Sequence, residues 1–202
     1  MSPATFPADP AAEKKRLRSL ALGRRAAMGE GARAAASRQA AGHALAAIGP
    51  AAGRTIALFA PFRDEIDTAP LAAALRVAGA DLCLPVIEAR DAPLLFRRWA
   101  AGAPLVAAGA FRIPEPPADA PLVSPALLLV PLAAFDRHGY RIGYGAGFYD
   151  RTLAGLRAHG PVSALGFAFA CQEVEGVPHE AHDEPVDMMV TELRAASCVA
   201  PR

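Results

Sequence analysis

The amino-acid sequence predicts an α/β protein: a mostly parallel sheet with helices on both faces, in a single three-layer domain. Helical segments alternate with short apolar runs of strand length through most of the 202 residues, which is the order that βαβ crossovers produce. The run 161–170 is apolar on both of its faces, as expected of a parallel strand covered on both sides. We place the domain at residues 13–198, after a disordered lead at residues 1–12 that is rich in Ala and Pro.

The first helix is predicted to begin at residue 13. Lys14, Arg18 and Arg25 lie four and seven residues apart, so they share one face of this helix. The pattern alone is typical of a solvated basic surface, and a cationic clamp on phosphates is the functional alternative. The predicted apolar stripe of the helix consists of Leu17, Leu20 and Ala21.

The remaining elements follow from the same periodicities. A second helix is predicted at residues 31–48, and a third begins at the N-cap Thr68. Segment 94–99 has strand-like bulk but contains two arginines and stays ambiguous, and 111–117 is predicted as an extended loop fixed by prolines. Strands are predicted at 55–60, 82–87, 124–130 and 161–170, with a short final strand at 188–190.

Composition excludes several classes of protein. A net charge of +1 argues against a polybasic nucleic-acid binder. The longest apolar run, residues 126–135, is about half the length that a membrane span needs, and the first ten residues lack the apolar stretch of a signal peptide. Three widely spaced cysteines suggest neither a disulfide framework nor a zinc ribbon. We expect a cytoplasmic protein that is a monomer or a weak dimer and binds neither nucleic acid nor membranes.

Three acids follow the strand predicted at 55–60. They are Asp64, Glu65 and Asp67. Open α/β sheets bind ligands beyond the carboxyl ends of their strands, which is where these acids would lie. Asp67 also has a simpler explanation, because an acid at a helix start interacts favourably with the helix dipole.

The most informative stretch is a strand, a glycine-rich loop and a helix, in that order, at residues 127–156. A helix start leaves backbone N–H groups unpaired and partly positive, and glycines allow a phosphate to reach them. Asp150, in the first turn of the predicted helix, could hold a cation bound to that phosphate. The spacing Gly143-x-Gly145-x-Gly147 matches neither the dinucleotide pattern nor the P-loop, so a tight turn without a ligand remains the alternative.

The longer string around this loop includes Val130-Pro131, Phe135-Asp136, Gly139, Arg141 to Gly145 and Gly147 to Arg151. Together these residues resemble the signature of the 5-formyltetrahydrofolate cyclo-ligases, or 5,10-methenyltetrahydrofolate synthetases. The resemblance is strong at residues 129–151, moderate at 14–18 and 61–68, and weak elsewhere. It implies an enzyme that uses ATP and Mg²⁺ to cyclise 5-formyltetrahydrofolate to 5,10-methenyltetrahydrofolate. ADP and phosphate would be released, after ATP has phosphorylated the formyl oxygen.

The same resemblance implies roles for individual residues. Those implied to bind ATP are Lys14, Arg18, Arg141, Gly143, Tyr144, Gly145, Ala146, Gly147, Phe148 and Tyr149. Those implied to bind the reduced folate are Ala60, Glu65, Tyr144 and Tyr149, with Phe111, Ile113 and Glu115 as weaker candidates. Arg141 and Tyr149 are assigned to catalysis, and Asp150 and Asp187 to magnesium.

Some features depart from the family pattern or leave other readings open. Ala146 stands where relatives often carry Gly or Lys, and Phe148 replaces a frequent Tyr. Asp187 could instead be an ordinary turn aspartate. The string His179-Glu-Ala-His182 lacks the H-E-x-x-H spacing, so no zinc site is predicted there.

Two other functions stay open from the sequence. One is a sugar-phosphate isomerase or CoA-transferase-like enzyme on a related fold, since such enzymes also have glycine loops for phosphate. The other is a folate- or nucleotide-binding paralogue with little turnover, which Ala146 would favour.

Overall fold

The computed structural model describes residues 9–108 and 112–199. The helices in these ranges are α1 (Pro10–Ala26), α2 (Glu30–Ile48), α3 (Ala69–Val77) and α4 (Phe148–His159). The strands are β1 (Thr55–Ala57), β2 (Asp81–Val86), β3 (Leu95–Arg98), β4 (Val106–Ala108), β5 (Ile113–Glu115), β6 (Leu127–Val130), β7 (Ala134–Phe135), β8 (Arg141–Ile142), β9 (Ser163–Phe167), β10 (Met188–Val190) and β11 (Ala195–Ser197). A short 3-10 turn, Ala170–Gln172, follows β9.

Seven strands form one sheet in the order β11-β10-β9-β6-β1-β2-β3. The five inner strands run parallel to one another, whereas the edge strands β3 and β11 are antiparallel to their neighbours. The predicted mostly parallel sheet is therefore confirmed. Two small antiparallel pairs, β4–β5 and β7–β8, lie outside this sheet.

Helices cover both faces of the sheet, which gives the three predicted layers. Leu71 and Leu75 of α3 are fully buried on one face, together with alanines of α2. Leu153 of α4 is fully buried on the opposite face. Burying each of these leucines contributes about 1.5–3 kcal/mol to folding.

The inner strand β9 packs on both sides, as its sequence predicted. Leu165 and Phe167 belong to the core that α2 and α3 cover. Ala164 belongs to the core that α4 covers, as does Ala168 just beyond the strand. The alternation places this strand between two helical layers, as the run of apolar residues on both faces required.

Helix α1 differs from its prediction in two ways. It begins at Pro10, three residues earlier, because the Asp9 carboxylate accepts hydrogen bonds from the N–H groups of Ala11 and Ala12 at 3.0 Å each. Leu20, predicted in the apolar stripe, is 40% exposed, whereas Arg25 is 2% exposed. Arg25 is buried because it forms hydrogen bonds with Asp64 and Tyr144, whereas the apolar Leu20 remains partly exposed. The predicted disordered lead spans residues 1–12, and residues 10–12 belong to α1 instead. Its residues 1–8 lie outside the described residues.

Other predictions can be settled segment by segment. The ambiguous segment at 94–99 contains strand β3, and Trp99 beyond it is partly buried against the core. The predicted proline-fixed loop contains β5, which pairs with β4, while Phe111 lies outside the described residues. The prediction that 188–190 is the last strand is wrong, because β11 follows it as an antiparallel edge. Its short Ala-Ala-Ser sequence carries no periodic signal.

None of the described helices is both long and apolar enough to cross a lipid bilayer.

A buried aspartate fixes the hairpin that leads into the glycine-rich loop. Asp136 accepts hydrogen bonds from the N–H groups of His138, Tyr140 and Val177 at 2.8, 3.2 and 2.8 Å. Gly139, at φ +87°, accepts a hydrogen bond from the N–H of Val186 at 3.0 Å. An added Cβ at this glycine would collide with the carbonyl oxygen of the same valine.

We expect the substitution Gly139→Ala to destabilise the protein by about 2 kcal/mol or more, because it combines an unfavourable φ with a backbone clash. Gly143→Ala is the matched control, since nothing lies within 4 Å of its Cβ position, and it should change stability by less than about 0.5 kcal/mol. Denaturant unfolding of both variants measures the difference. Equal stabilities of the two variants would contradict this account of the hairpin.

Candidate active site

A crevice lies at the carboxyl ends of the neighbouring strands β1 and β6. The chain leaves β1 through α3 toward β2 and leaves β6 through α4 toward β9, so the two crossovers run in opposite directions. Such a switch point is where open α/β sheets bind ligands. A small, narrow recess lies here, and its lining includes Phe59, Leu132, Phe167, Arg25 and Glu65.

The predicted phosphate loop, residues 143–147, lies between β8 and α4. Gly145 and Gly147 have φ of +97° and +66°, which residues with a Cβ rarely adopt. Gly147 is the N-cap of α4, and no side chain caps the start of this helix. The first N–H groups of α4 are therefore available to an anion.

The basic face of α1 contacts this loop and its surroundings, so the alternative of a solvated surface is wrong. The Arg18 Nε donates to the Gly143 carbonyl at 2.8 Å. The Lys14 Nζ lies 2.7 Å from Asp183 Oδ2 and 3.5 Å from Glu180 Oε2. The positively charged side chain of Arg18 thus lies beside the glycine loop.

A hydrogen-bonded network joins α1, the loop and the acidic segment after β1. The Arg25 Nη2 donates to Asp64 Oδ1 at 2.7 Å and to the Tyr144 hydroxyl at 3.1 Å. This hydroxyl donates to Glu65 Oε1 at 2.9 Å, and Glu65 Oε2 accepts from the Phe62 N–H at 2.8 Å. The sequence-predicted folate residues Glu65 and Tyr144 are therefore in direct contact.

Burial of this network shifts the pKa values of its ionisable groups. Burial raises the pKa of the Glu65 carboxyl, and the hydrogen bonds from Phe62 and Tyr144 offset only part of that effect. Burial also raises the pKa of Tyr144 to about 12. For Asp64 burial acts in the same direction, but the hydrogen bond and charge of Arg25 outweigh it and lower the pKa. Asp64 is therefore the ionic partner of Arg25, whereas burial disfavours the ionised form of Glu65.

Arg141 and Asp150 form a second ion pair at the start of α4. The Arg141 Nη2 lies 2.8 Å from Asp150 Oδ1, which also accepts from the Glu184 N–H at 3.2 Å. A second nitrogen of Arg141 donates to the Glu184 carbonyl oxygen. Oδ2 of Asp150 makes no hydrogen bond within the described ranges and remains available as a ligand atom. Burial raises the pKa of the neighbouring Tyr149, with the Glu65 charge acting in the same direction and the Arg141 charge opposing it.

Asp187 has a different set of contacts from Asp150. Its Oδ2 accepts from the Ala164 N–H at 2.7 Å and its Oδ1 from Arg157 Nη2 at 3.2 Å. Arg157 also binds Glu184 Oε2 at 2.6 Å, so the two predicted magnesium residues are linked only indirectly, through Arg157 and Glu184. A cation at Asp187 would have to displace or share the Arg157 contact.

The remaining predicted site residues lie at the edge of the recess or on the loop. Ala60 is partly exposed just beyond β1, and Ala146 is exposed at the top of the loop. Phe148, the first residue of α4, packs partly buried against the core under this helix. The weaker candidates Ile113 and Glu115 lie in β5, whereas the recess is lined by residues from other segments.

Two alternatives from the sequence can also be placed. Asp67 caps α3, since its Oδ1 accepts from the Ala69 N–H at 2.9 Å.

Glu180, His182 and Asp183 have ligand atoms within 4.8 Å of one another, but Glu180 and His182 are exposed. Lys14 already pairs with the two acids of this group, so no zinc site is supported.

The site role of Arg25 was missed at the level of sequence. In the sequence it shares one basic face with Lys14 and Arg18, and nothing in the pattern distinguishes its burial. Gln172 was also missed: its amide nitrogen donates to the Leu132 and Ala133 carbonyls at 2.8 and 3.0 Å, below the recess. No sequence signal pointed to this glutamine.

Comparisons of sequence agree with this geometry. The model of the 5-formyltetrahydrofolate cyclo-ligase family matches residues 10–192. The 5-formyltetrahydrofolate cyclo-ligase of Escherichia coli K12 is 40% identical over 142 residues, which is 68% of this chain and 77% of that protein. The protein of the same name from Haemophilus influenzae is 36% identical over 154 residues, or 73% of this chain and 81% of that protein.

Solved structures are similar over most of the chain. Aquifex aeolicus 5,10-methenyltetrahydrofolate synthetase has a TM-score of 0.75 at 30% identity, and the match covers 94% of both chains. The synthetase from Mycoplasma pneumoniae has a TM-score of 0.71 and covers 89% of this chain and 99% of that chain. At 19% identity, the latter similarity supports the fold alone.

The raised pKa of Glu65 predicts a pH-dependent contribution to stability. The folded protein holds this proton more tightly than the ordinary value of 4.5 allows in the unfolded chain, so stability from this group is lost as the pH rises through the folded pKa. The free energy of unfolding of wild type, minus that of Glu65→Gln, should therefore fall as the pH rises above about 4.5 and then level off. Denaturant unfolding from that pH to neutrality measures it, and a difference that rises with pH would refute this assignment.

Proposed function

The chain belongs to the 5-formyltetrahydrofolate cyclo-ligase family, and we propose that it catalyses the ATP-dependent closure of 5-formyltetrahydrofolate to 5,10-methenyltetrahydrofolate. The observation that carries the proposal is the network around Tyr144. This side chain comes from the glycine-rich loop, yet it contacts both Arg25 of α1 and Glu65 beyond β1. A phosphate-binding loop and a carboxylate suited to a pterin thus share one crevice.

The reaction needs ATP because a formyl amide is a poor electrophile and its oxygen is a poor leaving group. The formyl oxygen attacks the γ-phosphorus of ATP, and the bond from this phosphorus to the β,γ-bridging oxygen breaks, releasing ADP. N10 then attacks the activated formyl carbon and loses its proton. The C–O bond breaks last, so that inorganic phosphate leaves and the cationic 5,10-methenyl product forms. No protein nucleophile takes part.

The rate of such a reaction depends on how the two substrates are positioned and on how the charge of the phosphates is stabilised. We assign the phosphates to the N–H groups of residues 143–147 and of the first turn of α4. We assign the balancing positive charge to Arg18, which contacts the loop, and to Lys14 and Arg141, which also form ion pairs with acids. Since Ala146 offers no ammonium group, these three side chains carry the neutralisation of the phosphates.

Glu65 is assigned to the pterin, whose neighbouring N–H groups suit a carboxylate. Ala60 would border the same ring at the end of β1. Tyr149 stays protonated at neutral pH because burial raises its pKa. It therefore acts as a hydrogen-bond donor toward the formyl oxygen and not as a base.

We propose Asp150 as the main protein ligand of Mg²⁺, because its Oδ2 is available and its Oδ1 is held by Arg141. Asp187 would complete the site only if its contact with Arg157 is exchanged. Magnesium would neutralise the charge that develops on the transferred phosphate. The fit is thus good at Asp150 and depends on a rearrangement at Asp187.

We also propose that the protein acts in the cytoplasm as a monomer or weak dimer. All three cysteines are free, which suits a reducing compartment.

The activity is tested directly by incubating the protein with 5-formyltetrahydrofolate and MgATP and following the absorbance of methenyltetrahydrofolate. We expect product to form only when ATP is present. Folate and nucleotide binding without product would favour the paralogue with little turnover. If neither binds, the proposed function is wrong.

A second prediction concerns Asp150. Asp150→Asn keeps an oxygen for Arg141 and for the Glu184 N–H, so the protein should stay folded, but turnover should fall about 100-fold because charge opposite the magnesium is lost. Asp81→Asn is the matched control, since Asp81 is exposed at the opposite edge of the sheet, where β2 begins. Wild-type turnover by the Asp150 variant would remove this residue from the metal site.

A further inference from the structure

Arg25 has hydrogen-bonding capacity that the protein itself does not use. Its side chain is 2% exposed, and Nη2 carries its contacts to Asp64 and Tyr144. Nε and Nη1 are buried and have no hydrogen-bond partner among the described residues. A guanidinium is charged at every relevant pH and has five N–H donors, and leaving buried donors unpaired is costly. The three unused N–H donors on these two nitrogens therefore indicate that another molecule completes this site.

These donors belong to a residue that lines the recess at the β1–β6 switch point. Most of the lining is apolar, with Phe59, Leu132 and Phe167 among it. Gln172 also lines the recess, but its amide nitrogen and oxygen are taken by Leu132, Ala133 and Phe169. The polar groups left to face a ligand are Arg25, which only donates, and Glu65, which when ionised only accepts.

The Tyr144 hydroxyl indicates what kind of group fits between these two residues. It donates to Glu65 Oε1 at 2.9 Å and accepts from Arg25 Nη2 at 3.1 Å. Tyr144 is 46% exposed, so it can leave this position without opening the core. A ligand that replaces the hydroxyl must offer a donor toward Glu65 and an acceptor toward Nη2 of Arg25, and an acceptor oxygen with two lone pairs set between Nη2 and Nη1 would also pair the unused Nη1.

We propose that Arg25 binds the 4-carbonyl oxygen of the pterin while Glu65 accepts from its N3–H and 2-amino groups. This inference rests on the proposed function, since it takes the ligand to be a reduced folate. The N3–H and 4-carbonyl of a 4-oxopterin present a donor beside an acceptor, which reproduces the pattern of the tyrosine hydroxyl. In a 4-amino-4-deoxypterin both positions are reversed, so that a donor faces Arg25 and a bare ring nitrogen faces Glu65. Arg25 and Glu65 together therefore select 4-oxo over 4-amino pterins.

The test measures equilibrium binding of 5-formyltetrahydrofolate and of its 4-amino-4-deoxy analogue to the full chain without ATP. Wild type should prefer the 4-oxo compound by about 10- to 100-fold, as expected of hydrogen bonds to charged groups. Arg25→Lys keeps the charge beside Asp64 but loses the planar fork, and should lose most of this preference while MgADP binding is unchanged. Arg24→Lys is the matched control, because Arg24 donates to the Glu173 carbonyl at the exposed surface, and it should change the preference by less than about twofold.

Equal affinity of wild type for the two compounds would overturn the inference, and this arm does not depend on any variant folding. Full preference retained by a folded Arg25→Lys protein would overturn it too. Failure of the inference and failure of the proposed function are distinguishable. Wild type that forms methenyltetrahydrofolate without discriminating between the two pterins contradicts only the role of Arg25. Wild type that neither binds 5-formyltetrahydrofolate nor turns it over contradicts the function itself.

Discussion

The guanidinium of Arg25 and the groups around it hold the two halves of the site together. From the last turns of α1, this side chain reaches Asp64 beyond β1 and Tyr144 in the glycine-rich loop. Three segments far apart in sequence thereby meet at one nearly inaccessible charge. Breaking a buried ion pair by removing one partner costs about 3–5 kcal/mol, and the partial exposure of the Asp64 carboxylate moderates that cost. The pair that builds the crevice therefore also fixes helix α1 over it.

The sheet determines where this crevice can exist. Because β1 and β6 are neighbours whose crossovers leave in opposite directions, the loops beyond their carboxyl ends separate and leave space between them. The segment after β1 brings the acids, and the hairpin and loop after β6 bring the glycines and the start of α4. Helix α1 closes the open side, with Arg18 on the Gly143 carbonyl. The chemistry follows from this arrangement, since acids and phosphate donors must face one another for ATP to reach a formyl group.

The fold could be predicted from the sequence because its signals are local. Strand β9 shows its double burial in the apolar run from Ala164 to Phe167, and α4 begins where the apolar period changes at Phe148. For the candidate site, the assignments of Glu65 and Asp150 come from the resemblance alone and stay predictions. Arg25 could not be found in this way, because its burial depends on Asp64, which is 39 positions along the chain. The predictions that Leu20 is buried and that 188–190 is the last strand were wrong for a related reason. Burial and the pairing of edge strands are decided by distant partners and not by the local pattern.

The most direct test of this account is a crystal structure with 5-formyltetrahydrofolate, Mg²⁺ and a non-hydrolysable ATP analogue bound together. The account predicts the terminal phosphate on the N–H groups between residue 143 and the first turn of α4. The formyl oxygen should face that phosphate, and the pterin should take the place of the Tyr144 hydroxyl between Arg25 and Glu65. A nucleotide bound elsewhere, with Tyr144 still joined to Glu65 and the crevice closed, would contradict it.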